Sequence, residues 1–274
     1  MQTMNKGVIY TTEFISWQKS IPPLLERAGL EKHLAGSDQT ILIKPNLVEA
    51  LAPPITTPAE LVVALIQYLR TISDARIIIG EGCGAVDYET WHAFDVLGYT
   101  SLAQQLQVDL VDLNNEELVR LSKKGCRRWP DMYLPRIALE SFLISVPVLK
   151  AHTLAGVTLT MKNMMGLAPP SHYRQGSSWK KSAFHRQIQE AIADLNRYRT
   201  PDFTLLDATV GMPESHLWGP SCVPPINQLA AAYDPVSIDA HGTSLLHREW
   251  QKIGHIHMVD GELGQANPLT ILNT

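Results

Sequence analysis

A continuous apolar run that gives way abruptly to polar residues constrains this sequence more than any other feature. Residues 141–146 (SFLISV) have the composition of a strand buried on both faces of a sheet. Residues 148–166 follow as VLKAHTLAGVTLTMKNMMG, with lysine, histidine, threonine and asparagine among small and apolar residues. Charges in such surroundings are costly to desolvate unless something pairs with them. The stretch therefore predicts polar side chains at the end of a core strand.

The local conformation of this stretch is predicted in two parts. Alternate side chains of an extended chain project to the same side, so Lys150 and His152 are expected to form a pair of donors. Apolar residues over 154–164 have helical spacing, whereas 157–160 alternate as in a strand. We favour a helix that ends at Gly166.

Short apolar runs elsewhere in the chain predict a parallel sheet. They lie near residues 41, 76, 108, 143, 203 and 228, with helical patterns between most of them. Alternation of this kind is typical of an α/β fold with a mostly parallel sheet flanked by helices. At 45% hydrophobic residues the chain can bury a sizeable core, and no repeat or linker divides it. We therefore predict a single large α/β domain over residues 1–274.

Several helix ends can be predicted from their residues. Prolines 22–23 interrupt the first helical pattern, so that helix is expected to begin after them. Thr57 and Glu60 predict a capping box at the next helix. Thr56 lies outside this cap and is therefore the better ligand candidate, beside a helix N-terminus that favours anions. Asp234 is predicted to cap a later helix, which begins with a proline.

Polar residues follow several of the predicted strands, and in a parallel sheet such positions meet at one edge. The residues expected there are Lys44, Glu81, Lys150, His152 and Asp207. Glu81 lies in a glycine-rich turn (GEGCG, 80–84) and would repel a phosphate. Its expected partner is thus a cation, a hydroxyl group or one of the lysines. The convergence of these residues is the main physical argument for an active or binding site.

Two connecting segments carry further predictions. Residues 114–135 are expected to form a peripheral hairpin or flap. Residues 168–184, rich in proline, serine and glycine, are expected to form a mobile lid. The helical pattern after this lid places His185 on the inward face of a helix that continues to Asn196.

Composition and cysteine spacing exclude several classes of protein. The net charge of −4 and the pI near 6.2 argue against a general nucleic-acid surface. No apolar run reaches the roughly 18 residues of a membrane helix, and the N-terminal segment lacks the apolar core of a signal peptide. We therefore predict a cytoplasmic protein with neither nucleic acid nor membrane as partner. The three cysteines form no Cys-x-x-Cys pair, which argues against a single-chain iron–sulfur cluster or a zinc ribbon.

Six motifs in one order resemble the DUF362 family, a domain of unknown function. They are KPN (44–46), TTPAE (56–60), GEG (80–82), LKAHT (149–153), MKNMMG (161–166) and HRQIQEAIADLN (185–196). The resemblance runs from about residue 41 to about residue 239. Some relatives append a ferredoxin-like segment, whereas this chain resembles the bare domain. The loop around Glu214 departs from the family pattern, which has more glycine there, so no role is transferred to it.

The resemblance implies a site map without an established reaction, and the residue types indicate the chemistry. Lysines with carboxylates and histidines suit an anionic small molecule, and a buried lysine can act as a base or a Schiff-base nucleophile. We predict an enzyme that performs acid–base chemistry on such a molecule. A metal-binding or redox-partner protein and a non-catalytic metabolite-binding subunit are the alternatives, and a divalent metal remains an open option.

The predicted site divides into two groups of residues. The predicted catalytic residues are Lys150, His152, Lys162 and His185. The predicted substrate-binding residues are Lys44, Asn46, Thr56, Glu81, Gly82, Asn163 and Asp207.

Overall fold

The computed structural model describes residues 6–274, and residues 1–5, the start of the N-terminal segment considered for a signal peptide, lie outside the described part. The strands are β1 (Val8–Glu13), β2 (Ile41–Pro45), β3 (Ile77–Glu81), β4 (Asp109–Asp112), β5 (Leu118–Ser122), β6 (Asp131–Pro135), β7 (Phe142–Val146), β8 (Val148–His152), β9 (Gly156–Thr158), β10 (Phe203–Met212), β11 (Gln228–Ala232) and β12 (Thr270–Asn273).

Helices connect most of these strands, and three further segments form short 3-10 helices. The α-helices are α1 (Trp17–Ala28), α2 (Glu31–Leu34), α3 (Ala59–Ile72), α4 (Thr90–Val96), α5 (Tyr99–Leu106), α6 (Arg136–Glu140), α7 (Thr160–Asn163), α8 (Pro170–Tyr173), α9 (Ile188–Tyr198), α10 (Pro235–Leu245) and α11 (Gly254–Val259). The 3-10 helices are Met164–Leu167, Ser182–Phe184 and Trp250–Lys252.

A ten-stranded mixed sheet organises the fold, with the path β12-β1-β11-β10-β7-β2-β3-β4 and with β8 and β9 beside β10. The strands from β10 to β4 along this path are all parallel, whereas β11 runs antiparallel to both of its neighbours. All six predicted strands are present, and the α/β class with a mostly parallel sheet is confirmed. The strand predicted to be the last, β11, is followed by β12, which pairs with β1.

Alternation along the central strands explains why helices cover both faces of the sheet. Leu42 of β2 belongs to one hydrophobic core, whereas its neighbours Ile41 and Ile43 belong to the other. The first core also holds residues of α9 and α10, and the second holds residues of α1, α3 and α5. Strands buried on both faces need this continuous apolar composition, which is why the sequence predicted them.

Two of the predicted helix starts are wrong. Helix α1 begins at Trp17, with Ser16 as N-cap, and contains prolines 22–23. Burial of its apolar face offsets the backbone hydrogen bonds that the prolines remove. Helix α3 begins at Ala59 without a side-chain cap. Thr57 instead donates its hydroxyl to the carbonyl of Val146 at 2.7 Å and so ties this loop to the end of β7.

The predicted cap at Asp234 is confirmed, because its carboxylate accepts from the amides of Val236 at 2.9 Å and Ser237 at 3.0 Å. Residues 114–135 contain the antiparallel hairpin β5–β6. Trp129 near its tip is buried and donates its indole N–H to the carbonyl of Ala191 in α9 at 3.1 Å. The hairpin therefore packs against the helix that follows the predicted lid.

The segment after β8 is not the single helix that we favoured. It forms strand β9, which pairs antiparallel with β8 and places Thr158 opposite Lys150, and then helix α7 and a 3-10 turn. Gly166 lies inside that turn rather than after a helix. Both periodicities in the sequence were therefore real, but they belong to consecutive elements. Among residues 6–274, no helix is long and apolar enough to cross a membrane.

Candidate functional site

A cavity of about 390 Å³ opens at the carboxyl ends of β2, β3 and β8. Most of the predicted site residues line it, as expected for convergence at one edge of a parallel sheet. Those that do are Lys44, Asn46, Glu81, Gly82, Lys150, His152, Lys162, Asn163 and His185. The remaining lining includes Val48, Glu49, Gly84, Thr153, Leu154, Thr158, Met165, Gly166, Trp179, Lys181, His216 and Leu217.

One side of the cavity is built on a buried ion pair. The ammonium of Lys44 donates to both carboxylate oxygens of Glu81, at 2.8 and 3.0 Å, and both side chains are almost fully buried. Glu81 also accepts from the backbone amides of Leu47 at 2.9 Å and Gly82 at 2.7 Å. The expectation that a lysine is one partner of Glu81 is thus confirmed. Burial lowers the pKa of Lys44, and the charge of Glu81 opposes this shift.

Two asparagine side chains extend this pair into a network. The carbonyl oxygen of the Asn163 side chain accepts from Lys44 at 3.1 Å and from the Asn46 amide at 3.0 Å. The side-chain oxygen of Asn46 accepts from Lys150 at 3.0 Å. The amide of Asn163 donates to the Ser145 hydroxyl at 3.0 Å. The KPN and MKN motifs therefore meet through their asparagines.

Glycines allow the two motifs GEG and MKNMMG to pack together. A Cβ atom on Gly166 would collide with the Glu81 carboxylate and the Lys44 ammonium. A Cβ atom on Gly82 would collide with the carbonyl oxygen of Gly166. Close approach of the backbone to the ion pair, rather than a special φ angle, explains both glycines.

Three further lysines line the cavity, and none of them has a carboxylate partner within residues 6–274. Lys150 donates to Asn46 and to the carbonyl of Ile55. Lys181 donates to Asn114 at 2.8 Å and to two backbone carbonyls. The side chain of Lys162, a partly buried residue, makes no hydrogen bond or ion pair with the described part of the chain. We name Lys150, Lys162 and Lys181 the uncompensated lysines.

Their surroundings shift the acid–base equilibria of these amines towards the neutral form. Burial, joined by the charge of Lys44, lowers the pKa of Lys162 to about 8. Burial also lowers the pKa of Lys181 to about 7, against the opposing charge of Glu81. The pKa of Lys150 falls well below its ordinary value because of burial and then the charge of Lys162. Desolvation of a cation without a counter-ion is the common cause.

The histidines of the cavity are held neutral. Nδ1 of His152 accepts from the amides of Leu154 and Ala155, both at 3.1 Å, so the neutral ring carries its proton on Nε2. His152 stacks on His216 with 3.9 Å between ring centroids. Burial, then the charge of Lys162, lowers the pKa of His152 strongly and that of His216 to about 4.

His185 lies elsewhere than predicted. Helix α9 begins at Ile188, so His185 precedes the helix and is exposed at the mouth of the cavity instead of lying on an inward helical face. Partial desolvation, followed by the charge of Lys162, lowers its pKa.

A carboxylate behind the cavity positions the helix that carries Lys162 and Asn163. Asp239 of α10 is fully buried and accepts from the backbone amides of Thr160 at 2.8 Å and Met161 at 3.0 Å. These amides begin α7, so the carboxylate satisfies donors that a short helix leaves free. Burial raises the pKa of Asp239 to about 8.

Two predicted binding residues do not line the cavity. The Thr56 hydroxyl donates to the carbonyl of Leu51 and stabilises its own loop. Asp207 was expected at the end of a strand, but β10 continues to Met212, and the carboxylate accepts from the amide of Thr209 at 2.9 Å and from its hydroxyl at 2.7 Å. Glu214 is exposed and also lies outside the lining.

Sequence reasoning missed Lys181 and His216 among the lining residues. Lys181 follows another lysine in a segment rich in polar residues, where a charge is usually solvated. His216 lies in the loop around Glu214. No local signal separated either residue from ordinary loop residues, because the fold of the loops brings them to the cavity. Trp179, in the predicted lid, also lines the cavity, and the lid's mobility remains a prediction.

The lining combines amines, imidazoles and the carboxylates of Glu49 and Glu81. Across residues 6–274, no three histidine, cysteine, aspartate or glutamate side chains are grouped so that they could hold a metal ion. The cysteines are free thiols, and Cys83 and Cys126 are buried.

Comparison with known proteins identifies the same family that the motifs meeting in the cavity resemble. A search of curated proteins found no match. The family model described as "Domain of unknown function (DUF362)" matches residues 41–244, which include every strand that contributes to the cavity. With most of its 274 residues matched, the chain belongs to the DUF362 family.

Proposed function

We propose that the cavity binds an anionic small molecule and performs acid–base chemistry on it. One observation carries this proposal: four lysines line the cavity, and only Lys44 has a carboxylate partner among the described residues. An anionic ligand supplies the missing negative charge. Each charge-assisted hydrogen bond that it accepts from the uncompensated lysines contributes about 1.5–3 kcal/mol.

The size and lining of the cavity restrict the ligand further. A volume of about 390 Å³ is near the lower end of the roughly 300–1,000 Å³ that ligand sites occupy. Apolar residues share the lining with the amines. Carboxylate, phosphate and sulfonate groups are the anions that lysine binds as a point charge. We therefore propose a metabolite-sized compound with at least one such group.

The proposed chemistry assigns a role to each predicted catalytic residue. Lys162, with a pKa near 8 and no protein partner, accepts or donates a proton at neutral pH. The imidazole of His185 exchanges protons at the same cavity, whereas His152, whose Nδ1 is occupied by two backbone amides, offers its Nε2–H to the ligand as a hydrogen-bond donor. Lys150 is held by neutral acceptors, so it orients the anionic group of the substrate.

Ligand binding is the first part of the test. Native mass spectrometry of the purified protein detects any co-purifying anion, and calorimetric titration with inorganic phosphate, oxalate and citrate measures affinity directly. We expect binding that weakens in Lys162→Met and is unchanged in Lys252→Met, because Lys252 is exposed and does not line the cavity. Absence of binding by every anion of this panel, together with no co-purified anion, contradicts the proposal.

Chemistry is the second part of the test. A bound compound that undergoes acid–base chemistry at carbon incorporates deuterium when it is incubated with the protein in D₂O. We expect incorporation that is detected by mass spectrometry and is lost in Lys162→Met. Binding without deuterium incorporation or any other conversion favours a non-catalytic metabolite-binding subunit instead.

A further inference from the structure

We propose that Lys162 forms an imine with a carbonyl group of the anionic ligand, so that the substrates of this cavity are small anionic aldehydes or ketones such as 2-oxo acids. This inference rests on the proposed function, because it assumes that the cavity binds an anion. It goes further by assigning a covalent step to one nucleophile and by requiring a carbonyl group in the substrate.

The four lysines of the cavity differ in whether their amines are bound by the protein. Lys44, Lys150 and Lys181 each donate to two or more oxygen atoms of the protein. An amine held in this way must break those bonds before its lone pair can attack. Lys162 lines the same cavity and has no such partner in the described residues. It is therefore the lysine whose nitrogen is free to attack.

The electrostatic environment of Lys162 also favours attack by its amine. Nearby cations attract an anionic carbonyl compound and also disfavour a proton on the neighbouring amine. Burial and the charge of Lys44 lower the pKa of Lys162 to about 8, so roughly a quarter of the amine is neutral at pH 7.5. The same charges therefore bind the substrate and activate the nucleophile.

Apolar surface in the cavity favours the loss of water that imine formation requires. Val48, Met165 and Leu217 are apolar members of the lining, and Leu154 and Trp179 add apolar surface that is partly exposed. An apolar surrounding disfavours hydrolysis of the product by excluding water.

The reaction balances without a further reagent. The lone pair of the neutral Lys162 amine attacks the carbonyl carbon, and the π electrons move to oxygen, which takes up a proton. The nitrogen loses a proton, and the resulting hydroxyl group leaves with a second proton as water while the C=N bond forms. In total, an ammonium ion and a carbonyl compound give a protonated imine and one water molecule. His185, an exposed imidazole that lines the same cavity, moves these protons.

Lys181 is the rival nucleophile, because burial lowers its pKa to about 7. Its ammonium group donates to Asn114, Gly166 and Ala168, however, and these bonds fix it against the turn that follows α7. Geometry thus favours Lys162, and the two candidates are separated by experiment.

The test is reductive trapping with glyoxylate and pyruvate as probes and sodium cyanoborohydride as the reductant of the imine. Peptide mapping by mass spectrometry then measures the adduct at each lysine. We expect the adduct on Lys162 to form at least about tenfold faster than on Lys252, an exposed lysine in the same molecule. Excess oxalate, which is anionic but not an aldehyde or ketone, should slow trapping at Lys162 and leave Lys252 unaffected.

Two variants identify the nucleophile. Lys162→Met should remove the fast adduct, and Lys181→Met should retain an adduct at Lys162, with thermal melting used to verify that both variants fold. An adduct that persists in Lys162→Met and vanishes in Lys181→Met overturns the assignment, as does trapping at Lys162 no faster than at Lys252.

Failure of this inference is distinguishable from failure of the proposed function. If oxalate or citrate binds by calorimetry but neither probe is trapped selectively at Lys162, the imine is wrong and the anion site remains. If no anion binds, the proposed function is wrong, and the imine proposal, which depends on it, is wrong as well.

Discussion

Lys44 and Lys162 line the same cavity but differ in what surrounds their charges. Lys44 is fully buried, pairs with Glu81 and shares Asn163 with Asn46. Lys162 lies one residue before Asn163, and its side chain has neither an ion pair nor a hydrogen bond in the described chain. A lysine in this cavity therefore stabilises the fold when the protein provides a carboxylate partner, and it is available to a ligand when the protein provides none.

The Lys44 side of the cavity is part of the framework. Its ion pair joins the ends of β2 and β3, and its bond to Asn163 joins both strands to α7. The uncompensated lysines, by contrast, have either neutral acceptors or, for the Lys162 side chain, none. Removing the charge of Glu81 should therefore destabilise the fold, whereas removing the charge of Lys162 should affect folding little.

The largest expected effect is on the framework side. Glu81→Gln leaves the Lys44 charge buried without a counter-charge and should lower the free energy of unfolding by about 3–5 kcal/mol. Chemical denaturation measures this change. The control is Glu249→Gln in the exposed pair with Lys252, expected to cost about 0–1 kcal/mol. Equal losses in the free energy of unfolding of the two variants would contradict this distinction, because the buried pair would then stabilise the fold no more than an exposed one.

A smaller loss is expected at the support behind α7. Asp239→Asn retains one side-chain acceptor for the two amides of Thr160 and Met161, so one buried donor loses its partner. The free energy of unfolding should fall by about 1–3 kcal/mol. Anion affinity should fall as well, since α7 carries Lys162. A variant that loses stability but binds citrate normally would show that Asp239 supports the fold without positioning the lysine.

At Lys162, the effects on binding and on stability should separate. Lys162→Met should reduce the affinity for citrate by about tenfold or more, equivalent to about 1.4 kcal/mol. Its free energy of unfolding without ligand should stay equal to that of the wild type or rise, because a desolvated cation is removed. Calorimetry and chemical denaturation provide the two values. A large loss of stability would place Lys162 with Lys44 and contradict the distinction.

The smallest expected effect depends on pH. The folded-state pKa of Lys162, about 8, lies below its ordinary value, so between pH 8 and about 10 the unfolded state binds more protons at this residue and stability rises with pH. Any stability advantage of Lys162→Met over the wild type should therefore shrink by a few degrees in Tm over this range. If Tm changes with pH by the same amount in the two proteins across this range, the pKa of Lys162 is not lowered.

The sequence predicted the framework better than the loops. Residues such as Ile41 and Ile77 lie in strands buried on both faces. Their continuous apolar runs predicted the sheet, and the ends of these runs predicted that Lys44 and Glu81 meet. Asp207 was misplaced because β10 extends beyond the apolar run that defined it. Thr57 resembled a cap because local residue types satisfy the capping pattern, whereas tertiary contacts decided its partner.

The distinction between the lysines was not predictable from the sequence. Whether an amine has a partner depends on side chains that are distant along the chain, such as Glu81 for Lys44. Lys181 and His216 reach the cavity through loops whose path no local pattern determines. Local pattern therefore identified which residue types meet, and only the folded arrangement showed which of their charges lack a partner.

The most direct test of the uncompensated lysines is calorimetric titration of the protein with oxalate at pH 8, in two buffers that differ in ionisation enthalpy. Oxalate is fully ionised at this pH, so any proton exchanged on binding belongs to the protein. We predict net proton uptake that falls in Lys162→Met and is unchanged in Lys252→Met, because a bound anion raises the lowered pKa values of Lys162 and Lys181. Binding without proton uptake, or no binding, would contradict the account.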